Sequence, residues 1–316
     1  MKYLIKIVGQ FLLVNLVIGL LTSPWIVLYG PFPNLRSTVV GAIGTSMHWY
    51  LLEYLISDEE IAQLLADTQD TNSGEGQEGV NQFSNNYSDD IKLTTISSTR
   101  FQGYLMEISD PTRIKIGIAE TIGQMGQTTS EIARQYGAIA AVNGGGFNDP
   151  YGTGNGRDPF GVVISEGFFV EGADLTAPVP LIGLNHEGVL FSGKYTSQQI
   201  SDMHIVEGIS FYPALILNGE KQFTRGDGGW GIAPRTAIGQ KADGHILLLV
   251  IDGRQPQHSL GATLVDVQNI LYENGAITAA NLDGGSSTTM YYQGQVVNKP
   301  CDLLGERYIP TAILVI

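Results

Sequence analysis

The sequence predicts an α+β fold: a mixed, partly parallel, curved sheet with flanking helices, preceded by an N-terminal membrane-spanning helix. Three observations support this class. Residues 7–28 form a largely apolar run without charged residues, short strand-like segments begin near residue 91, and a strand–helix–strand unit occupies residues 245–283. Strands that alternate with helices favour a sheet covered by helices, and a long apolar run favours a membrane span.

The first element, residues 1–30, is predicted to be a signal anchor. As a helix, residues 7–28 would extend about 33 Å, enough to cross a bilayer. Lys2 and Lys6 precede the apolar run, and Trp25 and Tyr29 suit its far interface. These features predict a single pass through the cell membrane, with a cytoplasmic N-terminus and the remaining chain outside. A cleaved signal peptide is the alternative.

Two short segments come next. Residues 31–66 are predicted to form a juxtamembrane helical segment, in which Ser57 and Glu60 have the spacing of a capping box. Residues 67–90 are polar, contain glycine and almost lack aliphatic side chains, which is typical of a linker. The linker would hold a domain over residues 91–316 away from the membrane.

Within that domain, helices are expected after Thr128 and over residues 262–275. The second has Leu264, Val267 and Leu271 on one face and ends at Gly275. Apolar strands precede and follow it, an order that favours a parallel pair joined by a right-handed crossover. Antiparallel strands are expected to fill most of the remainder.

Composition excludes several classes of function. The formal net charge of −14 argues against a nucleic-acid partner, which requires basic surfaces. Cys301 is the only cysteine, so no intramolecular disulfide forms, and the histidines lack zinc-ligand spacing. The sequence requires no cofactor, and nothing in it supports a divalent cation.

Three apolar strands end in a polar side chain that is followed directly by glycine. These side chains are Asn143, Asp252 and Asp283. Ligands often collect at the ends of strands, where polar groups emerge and glycine lets a substrate approach the backbone. The alternative is that each is an ordinary turn.

The stretch "AANLDGGSSTTM" (residues 279–290) suggests a serine nucleophile, a phosphate cradle or a presented carboxylate. A nucleophile elbow needs glycine two residues after the serine, and a phosphate loop needs lysine; both are missing. Asp283 therefore becomes the candidate reactive carboxylate. Hydrogen-bond donors to an anionic oxygen would come from Gly284, Gly285, Ser286 and Ser287.

Two arginines are candidate anion ligands. Arg235 follows a proline and begins an apolar strand, and Arg254 lies two residues after Asp252. A buried guanidinium needs a partner, either a structural acid or a bound anion. Ser259 precedes a helix whose N-terminal donors favour anions.

The glycine-rich residues 144–161 are predicted to form a substrate loop, with a calcium-binding loop as the alternative. Gly144 and Gly145 would let substrate approach the backbone. Phe147, Phe160 and Trp230 would either stack on a sugar or anchor their loops.

Four segments together resemble the phosphodiester glycosidase family: "AVNGGGF", "APRTAIG", "VIDGRQPQHSLGATLVDV" and "NLDGGSSTTM". They occur in the family's order and cover most of residues 100–316. Family members include bacterial surface and exopolysaccharide-associated proteins. In this chain Ser286 stands where many members have a third glycine.

The resemblance implies hydrolysis of a sugar–phosphate diester in a phosphorylated glycan or wall polymer, at the glycosidic C–O bond. Asp283 or Asp252 would stabilise positive charge at the anomeric carbon or activate water. Arg235 and Arg254 would neutralise the phosphate, and Asn143 would orient a sugar hydroxyl or acetamido group. A surface module that binds phosphoglycans without cutting them is the alternative.

Overall fold

The computed structural model describes residues 2–44, 49–68, 87–149 and 154–316. The helices are α1 (Lys2–Tyr29), α2 (Pro33–Gly44), α3 (Tyr50–Glu53), α4 (Asp58–Thr68), α5 (Thr129–Gln135), α6 (Ser197–Asp202) and α7 (Leu264–Glu273). Two 3-10 turns span Pro111–Arg113 and Gly285–Ser287.

The strands, in chain order, are β1 (Ile91–Ser97), β2 (Gln102–Ile108), β3 (Ile114–Ile118), β4 (Ala140–Asn143), β5 (Phe147–Asn148), β6 (Asp158–Pro159), β7 (Val163–Ser165), β8 (Phe168–Glu171), β9 (Val179–Asn185), β10 (Leu190–Tyr195), β11 (Ile205–Ile209), β12 (Ala214–Leu217), β13 (Glu220–Lys221), β14 (Arg235–Lys241), β15 (Ile246–Ile251), β16 (Ala276–Asn281), β17 (Met290–Tyr292), β18 (Gln295–Val296) and β19 (Thr311–Val315). Within the described residues they form one seven-stranded, two five-stranded and one two-stranded sheet.

Each sheet is antiparallel throughout. The seven-stranded sheet has the order β1-β2-β15-β14-β16-β12-β13. The two five-stranded sheets have the orders β10-β9-β11-β7-β8 and β18-β17-β4-β19-β3, and β5 pairs with β6. The predicted mixture of helices and sheets is therefore confirmed, but the predicted partly parallel pairing is wrong.

The error concerns β15, α7 and β16. Both strands flank α7 and run in the same direction, as the crossover implies. However, β14 lies between them and pairs antiparallel with each. A strand from earlier in the chain thus occupies the position that the sequence assigned to a direct parallel partner.

The continuous apolar run of β15 reflects burial on both faces of the sheet. Leu248 and Val250 enter the core between the sheets, whereas Leu247 and Leu249 pack under α7. Because side chains alternate across a strand, a strand covered on both faces is apolar at every position, whatever its direction.

The helix ends follow local sequence signals. Thr128 caps α5 and exchanges hydrogen bonds with Glu131 in a capping box, as expected of a helix that begins after Thr128. Helix α7 is capped by Thr263 and followed by Gly275 at φ +89°. Its predicted core residues, Leu264 among them, are buried.

The N-terminal region is helical. Lys6–Tyr29 is long and apolar enough to cross a membrane, and most of it is exposed. Helices α2 and α3 lie within residues 31–66, α4 continues two residues further to Thr68, and β1 begins at Ile91. Most of the predicted linker, residues 69–86, lies outside the described residues.

Candidate active site

A polar cavity of about 320 Å³ opens where loops from separate elements meet. The described residues that line it include one carboxylate and three guanidinium groups, an arginine-rich site in a strongly acidic protein. Its lining residues are Ala42, Gly146, Phe147, Phe211, Tyr212, Trp230, Ala233, Arg235, Arg254, Asp283, Gly284, Gly285, Ser286, Ser287 and Arg307.

Asp283 is the only carboxylate among the described residues that line the cavity. It follows β16, and its main chain is fixed by a bond from its N–H to the Gly144 carbonyl (3.3 Å) and one from Asn143 Nδ2 to its own carbonyl (2.6 Å). The Gly284 N–H donates to its Oδ1 at 3.0 Å. Two strand ends therefore hold this carboxylate in place.

Burial raises the pKa of Asp283 to about 6. The hydrogen bonds from Ser287 and the Gly284 N–H act in the opposite direction, as do the charges of Arg307 and Arg254. Desolvation is the larger effect because the charged form loses water in the cavity. A carboxyl group with this pKa is mostly ionised at neutral pH and yet accepts a proton readily.

Asn143 does not line the cavity. It is fully buried, and its Oδ1 accepts from Thr236 Oγ1 (2.7 Å) and the Thr289 N–H (3.1 Å), while its Nδ2 supports Asp283. All its polar side-chain atoms thus have protein partners. The structure therefore places the Asn143 side chain behind the turn at Asp283 and outside the cavity lining.

Gly144 and Gly145 also lie behind the cavity wall. A Cβ atom on Gly144 would approach the Thr311 carbonyl to 2.7 Å, so only glycine fits there. The Gly145 N–H donates to Thr311 Oγ1 at 3.2 Å. In this loop, Gly146 and Phe147 reach the cavity instead.

The turn after Asp283 contributes backbone and hydroxyl groups to the cavity. Gly284, Gly285, Ser286 and Ser287 all line it. The Gly285 N–H is bonded to the Pro234 carbonyl at 3.0 Å, which ties this turn to the segment before β14. Gly285 has φ +60°, a backbone conformation that favours glycine.

Arg235 lines the cavity but is bound to backbone carbonyls. Its Nη2 donates to Trp230 O (2.8 Å) and Gly231 O (2.7 Å), and its Nε donates to Ala262 O (3.1 Å). Burial, with the nearby charge of Arg254, lowers the pKa of Arg235 to about 10, so it stays charged at neutral pH. Three of its donor contacts are structural, and neither Asp252 nor Asp283 is its partner.

Arg254 is the more accessible cation. Its side chain is exposed at the cavity, near Gly285, where an added Cβ would lie 3.2 Å from Nη1. Within the described parts of the chain its guanidinium makes no hydrogen bond or ion pair. It has φ +57°, a conformation uncommon for arginine. All its donors can therefore turn toward a ligand.

The structure does not bring Asp252 to the cavity. Its carboxylate accepts from Asn298 Nδ2 (2.9 Å) and the Lys299 N–H (3.0 Å), and it contacts His258 Nε2 at 2.8 Å. Ser259 is equally buried, and its hydroxyl donates to the Asp252 carbonyl. Asp252 and Ser259 are therefore buried in a hydrogen-bonded network and do not form the surface of the cavity.

Arg307 was not predicted from the sequence. It lines the cavity, forms an ion pair with Asp149 (2.9 Å) and lies 5.3 Å from the centre of the Phe147 ring. The "GERYIP" stretch around it carries no motif for ligand binding. Only the fold brings this segment to Asp283.

Aromatic side chains form one wall. Trp230 packs edge-on against Phe211 and Tyr212, with ring centres 6.0 and 5.4 Å apart. Phe160 lies behind Tyr212, at 6.4 Å. Both interpretations of Trp230 fit, since it anchors its loop and also faces the cavity.

The predicted substrate loop is only partly described, since residues 150–153 lie outside the described ranges. Asp149 accepts from the Gly154 N–H at 2.6 Å besides pairing with Arg307. Among the described residues no three His, Cys, Asp or Glu side chains are grouped as ligands for a metal ion.

Among the described residues, one half-buried carboxylate thus shares the cavity with guanidinium groups and aromatic rings. Guanidinium groups bind anions, and aromatic faces pack against apolar surfaces. Residues 136–316 match the phosphodiester glycosidase family. The chain belongs to this family.

Proteins of related sequence support membership of this family. N-acetylglucosamine-1-phosphodiester alpha-N-acetylglucosaminidase from Bos taurus is 29% identical over 192 residues, which cover 55% of this chain and 35% of that protein. The enzyme of the same name from Homo sapiens is also 29% identical over 192 residues, 36% of its length. The match thus spans little more than a third of these relatives.

The same fold occurs in a solved structure. It is the catalytic domain of the zebrafish enzyme of that name, described as auto-inhibited by its pro-peptide. The TM-score is 0.61 at 23% identity, with 76% of this chain and 87% of that chain covered.

Proposed function

We propose that this protein hydrolyses a sugar-1-phosphodiester at the bond between the anomeric carbon and the phosphate oxygen. The products are a free sugar and a phosphomonoester. The observation that carries this proposal is the composition of the cavity: one carboxylate, Asp283, with several guanidinium groups. Membership of the phosphodiester glycosidase family supports it.

The single carboxylate fits this leaving group. Glycosidases that expel a sugar alkoxide use two carboxyl groups, one of which protonates the departing oxygen. A phosphomonoester leaves without that proton, so charge neutralisation replaces general-acid help. Arg254 and Arg307, which both reach the cavity, would supply it through charge-assisted hydrogen bonds.

We assign Asp283 the central role. In its ionised form it would stabilise positive charge at the anomeric carbon or accept a proton from the attacking water. Its pKa of about 6 keeps it largely ionised at neutral pH. The turn at Gly284 and Gly285 would place donors beside the phosphate or the sugar.

The remaining predicted residues take supporting roles in this proposal. Asn143 fixes the main chain of Asp283, and Arg235 fixes the loop that carries Trp230. Asp252 would position residues 298–299, with which it is hydrogen-bonded. Trp230 and Phe147 would stack against the sugar, together with Tyr212, which the sequence did not indicate.

The proposed location is the outer face of the cell membrane, with α1 as the anchor. Its length and apolar composition support this, and a cleaved signal peptide would show the same features. The substrate would then be a phosphorylated glycan, a wall polymer or an exopolysaccharide-associated phosphodiester.

The test is release of sugar from matched sugar-1-phosphodiesters that carry different sugars. The proposal predicts free sugar and phosphomonoester, and loss of both products with Asp283→Asn. Binding of a phosphoglycan without product on prolonged incubation would instead identify a non-catalytic binding module.

A further inference from the structure

Helix α2 forms part of the cavity wall. Ala42, near its C-terminal end, lines the same cavity as Asp283 and Arg254. The rest of the described lining comes from residues 146–307, so α2 brings a distant part of the chain to the site. The juxtamembrane segment therefore contributes to the space that a substrate would enter.

The contact between α2 and the loop 227–231 is close and specific. Thr38 Oγ1 donates to Asp227 Oδ2 at 3.1 Å. A Cβ atom added to Gly231 would lie 2.6 Å from the Thr38 carbonyl oxygen, and one added to Gly41 would lie 2.5 Å from the Gly229 carbonyl oxygen. Glycine on both sides lets the two backbones touch.

The other side of the loop is held by the active site. Arg235 donates to the Trp230 and Gly231 carbonyls, and both Trp230 and Arg235 line the cavity. The loop is thus fixed between α2 and Arg235. This arrangement sets the position of α2 relative to the reactive carboxylate.

Helix α2 is also fixed to the end of α1. Leu28 and Val40 belong to one buried apolar cluster, with Leu52 and Ile56. The Tyr29 hydroxyl donates to the Leu55 carbonyl. Ala42 follows Val40 by two residues, about 3 Å along the helix axis. The cavity wall therefore lies close to the end of the candidate membrane span.

Exposed aromatic side chains surround this junction. Trp25 and Tyr29 stack near the end of α1 and are 60% and 53% exposed. Trp49, Tyr50 and Tyr54, from the α3 region, are also exposed. Tryptophan and tyrosine are enriched where a protein passes from hydrocarbon to lipid headgroups. Their positions place the headgroup layer beside α2.

From this placement we propose that the substrate is a glycosyl phosphoryl lipid, a sugar-1-phosphodiester whose second ester is a long-chain lipid alcohol. The inference rests on the proposed function and on α1 crossing a membrane. The phosphate of such a lipid lies at headgroup level, as does the cavity in this arrangement. Arg254 and Arg307 would bind that phosphate while the lipid chain stays in the bilayer.

The chemistry balances without a further reactant. The oxygen of water bonds to the anomeric carbon, and the bond from that carbon to the phosphate oxygen breaks. The electron pair stays with the phosphate, and the water proton passes through Asp283 to solvent. The products are the free sugar, released to the aqueous side, and a lipid monophosphate that remains in the membrane.

The test uses the full chain reconstituted in vesicles with its globular domain outside. Three substrates carry the same sugar: a glycosyl phosphoryl polyprenol in the protein's own vesicles, the same lipid in separate vesicles, and a water-soluble short-chain alkyl phosphodiester. Sugar release is measured for all three substrates, and the set is then repeated with each sugar of a panel. Asp283→Asn is the inactive control.

We expect the polyprenol substrate in the protein's own vesicles to be cleaved at least about tenfold faster than the same lipid in separate vesicles, because a shared surface raises the effective concentration. We also expect its kcat/KM to exceed that of the soluble ester. Cleavage of the soluble ester without cleavage of the lipid would overturn the lipid substrate and leave the proposed function intact. Equal rates for all three substrates would also overturn the lipid substrate. No sugar release from any of them would overturn both the lipid substrate and the proposed function.

Discussion

Asp283→Asn is expected to remove activity and, at the same time, to stabilise the folded protein. Asparagine has nearly the same shape, and its Oδ1 still accepts from the Gly284 N–H. What the substitution removes is a carboxylate that is held in a desolvated position. The two effects therefore have opposite signs, which separates a catalytic group from a structural one.

The size of the stabilisation follows from the pKa of Asp283. Burial raises it from 3.8 to about 6, a difference of about 2.2. At about 1.36 kcal/mol per pKa unit, ionisation in the folded state costs about 3 kcal/mol more than in the unfolded chain. Below about pH 3.8 Asp283 is protonated in both the folded and the unfolded chain, and its raised pKa costs the folded state nothing. This advantage is lost as the pH rises through 6, because the group must then ionise in its desolvated position.

The assay is urea unfolding of the full chain in mild detergent, followed by tryptophan fluorescence. At about pH 7.5 we expect Asp283→Asn to raise the unfolding free energy by about 1–3 kcal/mol, and near pH 3.5 by close to zero. Sugar release should fall by a factor of about 100 or more. A destabilised variant, or one that retains activity, would refute this account of Asp283.

Three further predictions concern the same cavity. The kcat/KM for a sugar-1-phosphodiester should rise about tenfold between pH 5 and pH 7, as Asp283 ionises with a pKa of about 6, and a flat profile would exclude it. Arg254→Gln should lower kcat/KM for phosphodiesters about 100-fold and for neutral aryl glycosides by less than about threefold. Arg235→Ala removes the side-chain donor from the Trp230 and Gly231 carbonyls and one of two donors from the Ala262 carbonyl, so it should lower stability by about 2–4 kcal/mol and both activities alike. Equal selectivity of the two variants would contradict these roles. Ala42→Phe should narrow the cavity and raise KM. Leu35→Phe, on the exposed face of the same helix, should leave KM unchanged. An unchanged KM for both variants would show that α2 does not contribute to the substrate site.

Features set by local sequence could be predicted. The ends of α5 and α7 follow from their threonine caps and from Gly275, because capping depends on neighbouring residues only. The turn after Asp283 follows from its glycines, which permit the backbone geometry that places Gly284 to Ser287 at the cavity. The proposal that Asp283 is the reactive carboxylate came from this local pattern.

Features set by contacts between distant segments could not be predicted. The insertion of β14 between β15 and β16 leaves no trace in the strand–helix–strand order. Arg307 reaches the cavity because β19, which follows it, pairs with β4, which ends at Asn143. Asp252 and Asn143 have the same local pattern as Asp283, and only the fold decides which side chain faces the cavity.

Arg235 shows the same limit at a single residue. Its place before an apolar strand indicated a buried guanidinium that needs partners, and it is 4% exposed. The partners are carbonyls of the Trp230 loop and Ala262, a choice that depends on how that loop folds back. Charge and burial were visible in the sequence, but the partner was not.

The central claim is that water attacks the sugar carbon and that the phosphate departs. The most direct measurement is hydrolysis of a sugar-1-phosphodiester in water labelled with heavy oxygen, followed by mass spectrometry of both products. We expect the label in the anomeric hydroxyl of the sugar and none in the phosphomonoester. Label in the phosphate would show cleavage at phosphorus and would contradict it.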